Sequence, residues 1–212
     1  MIIGFLLANM AVLGIAVLVL QAQPKTPPVI QGVFLPQARE LPSFTLLDHH
    51  NKAFTNDQLL GKWHLVSYGF TTCPDICPTT LAQLVQVRSL LREQIPDLQI
   101  LFYTVDHQRD TPEKMASYVS FFDTDFIGLT HPTGDADAYL GFEQGLGIAA
   151  QLTPTGAPEG NEYDVAHGIN LLLLNPQGKL QAILKPSLDG QRNKVFEAQT
   201  IYQDVISVIE AS

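Results

Sequence analysis

Two cysteines four positions apart, Cys73 and Cys77, are the only ones in 212 residues, and they constrain this chain more than any other feature. They lie in the stretch Phe70-Thr71-Thr72-Cys73-Pro74-Asp75-Ile76-Cys77-Pro78. Trp63 to Phe70 ahead of it is apolar and aromatic, the pattern of a buried strand. Behind it Leu81, Leu84, Val85, Leu91 and Ile95 recur at a helical period. The cysteines therefore occupy a strand-to-helix turn. Pro78 suits the first helical position and disfavours the α conformation at Cys77, which places both sulfurs at or just before a helix N-terminus. Free N–H groups and the helix dipole there favour thiolate over thiol. Sulfurs flanked by proline are expected to turn away from the core. Two such sulfurs make either a redox couple or two ligands of a soft metal.

The elements around that turn define a fold class. Leu98 to Val105 reads as a second buried strand. Thr111 followed by Pro112 is an N-cap and first helical residue, opening a helix through Met115, Tyr118, Val119 and Phe122. Asp125 to Leu129 reads as a short strand, and Asp135 or Asp137 is expected to open a further helix. Gly145 to Asn161 reads as a loop rich in Gly, Pro and Thr. Ile169 to Leu174 and Leu180 to Leu184 are strands joined by the turn Asn175-Pro176-Gln177-Gly178. A last helix carries Val195, Ala198, Tyr202, Val205 and Ile209 on one face. Nearer the start, Leu41 to Asp48 alternates like a strand, Asn51-Lys52 reads as a hairpin turn, and Asn56 as the cap of a short helix. This order is that of an α/β, thioredoxin-like domain, with a central mixed sheet flanked by helices, over residues 41–212.

Two segments precede that domain. Met1 to Leu20 holds no charge, and ~20 apolar residues span a bilayer. A cleavable signal peptide normally opens on Lys or Arg, which are absent here, and the cleavage pattern near Ala22 is poor. Residues 1–20 are therefore expected to be an uncleaved, single-pass anchor. As a signal-anchor it leaves the rest of the chain on the exported, periplasmic side of the inner (cytoplasmic) membrane. Residues 21–40, with Pro24, Pro27, Pro28 and Pro36, read as a stiff spacer. The formal net charge of −9 falls entirely after residue 24. With only 12 Lys and Arg, the domain lacks the basic footprint that nucleic acid requires.

Of the six histidines, five have ordinary readings. His49 and His50 lie on the hairpin turn and are expected to be solvated, His64 lies within a strand, and His131 precedes a proline. His107 closes a strand at the sheet edge expected to face the cysteines. His167 stands apart, because Tyr163 to Gly168 leads into the strand at Ile169, and in a thioredoxin-like domain that entry lies against the cysteine turn. Thiol-disulfide oxidoreductases of this fold carry a cis proline there, whereas this chain has Ala166, His167 and Gly168. Cys73, Cys77 and His167 thus form a donor set of two sulfurs and one nitrogen. It suits copper, above all Cu(I), with open positions for Cu(II). Zinc accepts the same donors with water completing the tetrahedron. A structural zinc or iron–sulfur site needs about four ligands, which two cysteines do not supply.

These residues resemble the Sco/SenC family, membrane-anchored copper proteins of cytochrome c oxidase assembly. The resemblance rests on Thr72 to Pro78, Val105-Asp106 with Arg109 to Glu113, Ile127 to Thr130, and His167 with Asn175 to Gly178, within residues 41–185. It implies that Cys73, Cys77 and His167 ligate copper. It also implies that the protein delivers copper to the dinuclear copper site of cytochrome c oxidase subunit II, or to another copper-accepting protein, or reduces that site's cysteines. The chain departs from the family pattern at Ala166 and Gly168, where Asp and Ser or Thr are usual, and at His107, usually proline. Loss of the carboxylate beside His167 is expected to remove a contact that orients the imidazole. The alternative function is a thiol-disulfide reductase using Cys73 and Cys77 as a redox-active disulfide. A peroxide-reducing enzyme needs an arginine beside the attacking sulfur, and none lies within ten residues of Cys73.

Overall fold

A computed structural model of the chain describes Met10, Gly14 and residues 26–132, 137–155 and 163–212. The strands are β1 (Gly32–Arg39), β2 (Thr45–Asp48), β3 (Ala53–Thr55) and β4 (His64–Gly69), with a 3-10 turn at Asn56–Leu59 before β4. Helix α1 (Ile76–Leu91), β5 (Gln99–Thr104), α2 (Pro112–Phe122), β6 (Ile127–Thr130) and α3 (Leu140–Leu146) follow. The chain closes with β7 (Ala150–Pro154), β8 (Tyr163–His167), β9 (Leu171–Leu174), β10 (Leu180–Leu184), β11 (Ser187–Leu188), β12 (Lys194–Val195) and α4 (Ala198–Ala211).

Among the described residues, eight strands form one mixed sheet in the order β1-β10-β9-β4-β5-β6-β2-β3. β4, β5 and β6 are parallel neighbours, and the other pairs are antiparallel. Parallel neighbours need helical crossovers, which α1 and α2 supply. The carboxyl ends of β4 and β5 consequently open on the same sheet edge, where α/β sheets place their ligand sites.

Alternation decides the core. On β5, Ile100 and Phe102 face one side, and Leu101 and Tyr103 the other; all four are buried. Leu171 and Leu173 on β9 likewise oppose Leu172 and Leu174. One layer packs under α1 through Leu81, Leu84, Val87 and Leu91, together with Ile201, Val205 and Val208 of α4. The other packs against Leu46, Phe54 and Phe142. A sheet buried on both faces explains why its central strands read as continuous apolar runs. Thr111 caps α2 with its hydroxyl accepting from the Lys114 N–H, and Pro112 opens the helix, as the sequence predicts.

Several expectations change. Residues 32–39, expected to be spacer, form β1 and pair with β10. Pro36 is compatible because β1 is an edge strand bonded on one side only, and its register shifts between Phe34 and Arg39. Part of the expected loop 145–161 is β7, and β7 and β8 form a two-stranded antiparallel ribbon. The ribbon escapes sequence reading because it is half exposed and polar, with no apolar run. The helix expected at Asp135 or Asp137 begins at Leu140, Asp135 lies outside the described residues, and Val195 belongs to β12 rather than α4. Thr55, not Asn56, caps the 3-10 turn. The expected anchor at 1–20 lies outside the described residues except for Met10 and Gly14. Among the described residues no helix is long and apolar enough to cross a membrane.

Two buried histidines give the fold an acid limit. Burial, with Lys62 adding, lowers His64 to about 4, and burial, with His107 adding, lowers His131 to about 3. His131 is therefore neutral, and its 4.0 Å approach to Glu143 is not an ion pair. An unfolded histidine titrates near ~6.5, so between that pH and the folded values the unfolded chain binds more protons. The stability this contributes is complete above pH ~6.5 and is lost as pH falls toward 4 and then 3. For His64 alone the loss is about 3 kcal/mol at ~1.4 kcal/mol per pKa unit. Urea midpoints measured from pH 7 to pH 4 are expected to fall steadily, and to fall less in His64→Leu. A flat profile would contradict the assignment.

Candidate metal centre

The cysteine turn leaves β4 at Gly69 and enters α1 at Ile76. Cys77 is thus inside the first helical turn rather than ahead of it, and Pro78 is the third helical residue. This is sterically allowed, because the first four N–H groups of a helix have no acceptor within it and proline forfeits nothing there. As the second residue of α1, Cys77 faces inward and is buried at 4% exposure, while Cys73 is partly exposed. Only one sulfur therefore points outward. Burial, and next a hydrogen bond with the Cys73 thiol, push the Cys77 thiol well above the ordinary range. The thiolate expected from the helix dipole is overridden at Cys77 by desolvation. Both cysteines are free thiols, side by side.

Gly69 makes the position of Cys77 possible. A Cβ on Gly69 would stand closer than 3.0 Å to the Cys77 sulfur, a separation real Cβ atoms essentially never show, and 3.5 Å from the Phe102 ring.

His167 arrives from the other side as the last residue of β8, paired with Ala150. Its Nε2 lies 4.0 Å from the Cys77 sulfur. Its Nδ1 is 2.6 Å from the Gly168 carbonyl. A carbonyl only accepts, so Nδ1 carries the proton and Nε2 presents its lone pair to the sulfur. Phe70 meets the imidazole edge-on at 5.7 Å, and Tyr68 lies 5.9 Å away. The contact expected to vanish with the carboxylate at position 166 is supplied by the Gly168 backbone instead. A Cβ at position 168 would sit 2.6 Å from the Tyr68 hydroxyl, so a side chain there would require Tyr68 to shift. No cis peptide bond occurs among the described residues.

A single turn, Asp106 to Asp110, ties both halves of the site together; from the sequence, Asp106, Arg109 and Asp110 read as a structural turn with a salt link, which Asp106 and Arg109 form. Asp110 is fully buried. Its carboxylate accepts from the Thr71 N–H at 2.9 Å, the Thr71 hydroxyl at 2.6 Å and the Thr104 hydroxyl at 2.6 Å. That anchors the cysteine loop two residues before Cys73. Asp106, also fully buried, pairs with Arg109 and accepts from the Tyr163 hydroxyl. Arg109 lies over the Tyr163 ring at 4.1 Å. Tyr163 is the first residue of β8 and His167 the last, so this contact anchors the His167 ribbon.

The other histidines lie elsewhere. His107, expected to face the cysteines, stacks on His131 at 4.0 Å, and His131 stacks on Tyr139 at 3.7 Å. His131 Nε2 is 2.6 Å from the Tyr103 hydroxyl, which donates to Glu143. His49, expected to be solvated, accepts from the Gly128 N–H at 3.0 Å through Nδ1.

The donors fit a soft metal. Sulfur and nitrogen ligands at ~2.3 and ~2.0 Å from one ion stand roughly 3.5–4.4 Å apart, depending on the bond angle. The Cys77 to His167 separation falls in that span. The crevice between them has a volume of about 10 Å³ and is lined by Tyr68, Ile76, Cys77 and His167 among others, room for one atom-sized occupant. Among the described residues no three His, Cys, Asp or Glu side chains are drawn close enough to hold an ion as they stand. The structure thus brings Cys77 and His167 within 4.0 Å of each other, with Cys73 beside Cys77.

Comparison with known proteins agrees. The SCO1/SenC family model matches residues 35–200. A Stutzerimonas stutzeri protein named for copper binding is 36% identical over 161 residues, 74% of this chain and 76% of that one. The mitochondrial SCO2 homolog of Bos taurus is 39% identical over 137 residues, 64% of this chain. The match spans about half of that relative's length, 50%. Arabidopsis thaliana ScoI with copper bound superposes with a TM-score of 0.65 at 26% identity, over 81% of this chain and 99% of that one. Copper-bound yeast Sco1 gives 0.67 at 28% identity, over 82% and 90%. With the family model matching most of its length, the chain belongs to the SCO1/SenC family.

Proposed function

We propose that this chain is a copper metallochaperone whose cargo is held by Cys73, Cys77 and His167 and passed to the dinuclear copper site of cytochrome c oxidase. One observation carries the reading: His167 gives its Nδ1–H to the Gly168 carbonyl and turns Nε2 toward Cys77. A redox dithiol has no need of an oriented imidazole lone pair, whereas a metal ligand requires one. Copper bound to relatives with the same fold supports it. Two sulfurs and one imidazole suit Cu(I), and Cu(II) needs the open positions such a set leaves. Cys73, the more exposed sulfur, is the one that meets the acceptor. The acceptor implied by the family resemblance is subunit II. The apolar stretch 1–20 would hold the domain at the exported face of the inner membrane, beside such an acceptor.

A second reading, thiol-disulfide reduction of the acceptor's cysteines, is favoured by the free, adjacent thiols with unequal exposure. It makes Cys73 the attacking group, because burial disfavours the Cys77 thiolate. Cu(I) titration of the reduced, anaerobic protein separates the two. The chaperone reading expects one copper per chain, lost in Cys73→Ala. In His167→Ala it expects weakening beyond the ~10–100-fold typical of a residue that only supports a ligand. Copper binding indifferent to His167, with a dithiol that exchanges readily with glutathione, would establish the reductase instead.

A further inference from the structure

The strand that carries His167 is held at its far end by a buried charge. Among the described residues, β7 and β8 form a two-stranded ribbon of their own, outside the eight-stranded sheet. An isolated two-stranded ribbon is marginal in water, so this one depends on what it docks against. Residues two apart on a strand share a face, and along β8 Tyr163, Val165 and His167 are half-buried while Asp164 and Ala166 are exposed. The inward face meets the domain at three points. His167 approaches the Cys77 sulfur at 4.0 Å, too long to be a strong bond. Val165 packs against the core layer that contains Leu46 and Phe142. Tyr163 donates its hydroxyl proton to Asp106, a fully buried carboxylate that also pairs with Arg109. Arg109 lies over the Tyr163 ring at 4.1 Å and donates to the Tyr163 carbonyl at 3.4 Å. A hydrogen bond to a charged acceptor is roughly twice as strong as one between neutral groups, so Tyr163 is the firmest of the three holds.

We infer that Tyr163 is a positioning residue for the metal: its bond to Asp106 keeps the β7–β8 ribbon docked, so that His167, four residues along the same strand, stays within reach of an ion held by Cys73 and Cys77. The inference rests on the copper reading above. The two ends of β8 move together, because every residue from Tyr163 to His167 pairs in register with β7, from Pro154 to Ala150. Four residues of strand span ~13 Å, so Tyr163 acts on the metal without approaching it. A ligand that is in place only part of the time lowers the apparent affinity by that fraction. The coupling is reciprocal: a metal that captures His167 also tightens the Tyr163 end. Asp106 lies in the same turn as Asp110, which anchors the cysteine loop through Thr71, so ribbon and loop are referenced to one piece of backbone.

Tyr163→Phe tests this, since it removes one hydroxyl and keeps the ring beneath Arg109. In the full reduced chain without metal, amide hydrogen exchange across β7 and β8 is expected to speed up ~10–100-fold, the effect of one lost bond to a buried charge, with β4, β5 and β9 unchanged. Cu(I) affinity, read in competition with a chromophoric chelator, is expected to fall ~3–10-fold, within the limit set by His167→Ala. Added to His167→Ala, the same change is expected to loosen the ribbon and leave Cu(I) affinity where it is. Copper loading is expected to restore ribbon protection in Tyr163→Phe. Unchanged exchange in metal-free Tyr163→Phe would overturn the inference by making Val165 packing the hold. A loosened ribbon with undiminished affinity would overturn it as well, and so would an equal fall in affinity with and without His167, because Tyr163 would then act on the cysteines or the whole fold. Copper binding indifferent to His167 in the otherwise unchanged protein would instead sink the chaperone reading, while exchange in the metal-free protein would still decide whether Tyr163 holds the ribbon.

Discussion

Asp110→Ala is expected to cost about 3–5 kcal/mol of stability and to uncouple the cysteine loop from the sheet edge. The carboxylate is fully buried and accepts three hydrogen bonds, from the Thr71 N–H, the Thr71 hydroxyl and the Thr104 hydroxyl. Bonds to a charged acceptor contribute ~1.5–3 kcal/mol each, and removing the acceptor strands buried donors at a further cost. The three share one group, so their losses do not add in full. For a chain of this size each ~1 kcal/mol moves Tm by ~2–4 °C, so the transition should drop by about 6–20 °C. Asp110→Asn keeps one acceptor oxygen of nearly the same shape and is expected to lose about half as much. Copper affinity should fall in both variants below the transition, because Thr71 fixes the loop that carries Cys73. Thermal unfolding and Cu(I) competition on the same samples check this. A native-like Tm in Asp110→Ala would show that the clamp holds nothing.

Gly69→Ala is expected to damage the site more than the fold. The added methyl would stand closer than 3.0 Å to the Cys77 sulfur, with Phe102 behind it at 3.5 Å. Gly69 is in extended backbone inside the sheet and pairs in register with Thr104, so the strand cannot retreat. The sulfur must move instead. Overpacking of this kind costs ~1–3 kcal/mol, which the domain can absorb. The 4.0 Å approach of Cys77 to His167 cannot survive it, and Cu(I) affinity should fall toward the upper end of the ~10–100-fold range or beyond. The ratio of the two effects is the informative quantity. A protein that folds cooperatively yet binds copper poorly would place the importance of Gly69 in the sulfur position. Unchanged affinity would mean that Cys77 has a second usable rotamer and that the observed spacing is not required.

Both substitutions act on residues outside the expected ligand set, and the sequence by itself gives neither residue its role. What it does determine is local. Cys73 and Cys77 between an apolar strand and a helical period, Thr111-Pro112 opening a helix, Asn175 to Gly178 turning a hairpin and the alternation of β5 are all readable within one or two elements. Each depends on backbone preference or on a period of two or 3.6, which neighbours in sequence impose on one another. The α/β class and the three expected ligands follow from such signals, helped by resemblance. Residues 32–39 were harder, because Pro36 masks an edge strand whose partner, β10, lies about 150 positions away.

Tertiary structure decided everything that depends on which distant groups meet. Cys77 became a buried thiol because α1 begins at Ile76, two residues ahead of Pro78, and turns its sulfur under Gly69. His167 obtained its tautomer from the next residue's carbonyl, but its aim at Cys77 came from a ribbon of two weakly patterned, half-exposed strands. His107 turned to a stack on His131 instead of the cysteines. Asp106 and Asp110 hold Tyr163 and Thr71, which lie 57 and 39 positions away. No local pattern encodes such pairings. They arise when parallel β4 and β5 bring their carboxyl ends to one edge, so that two loops and a ribbon distant in sequence share the same few cubic ångströms.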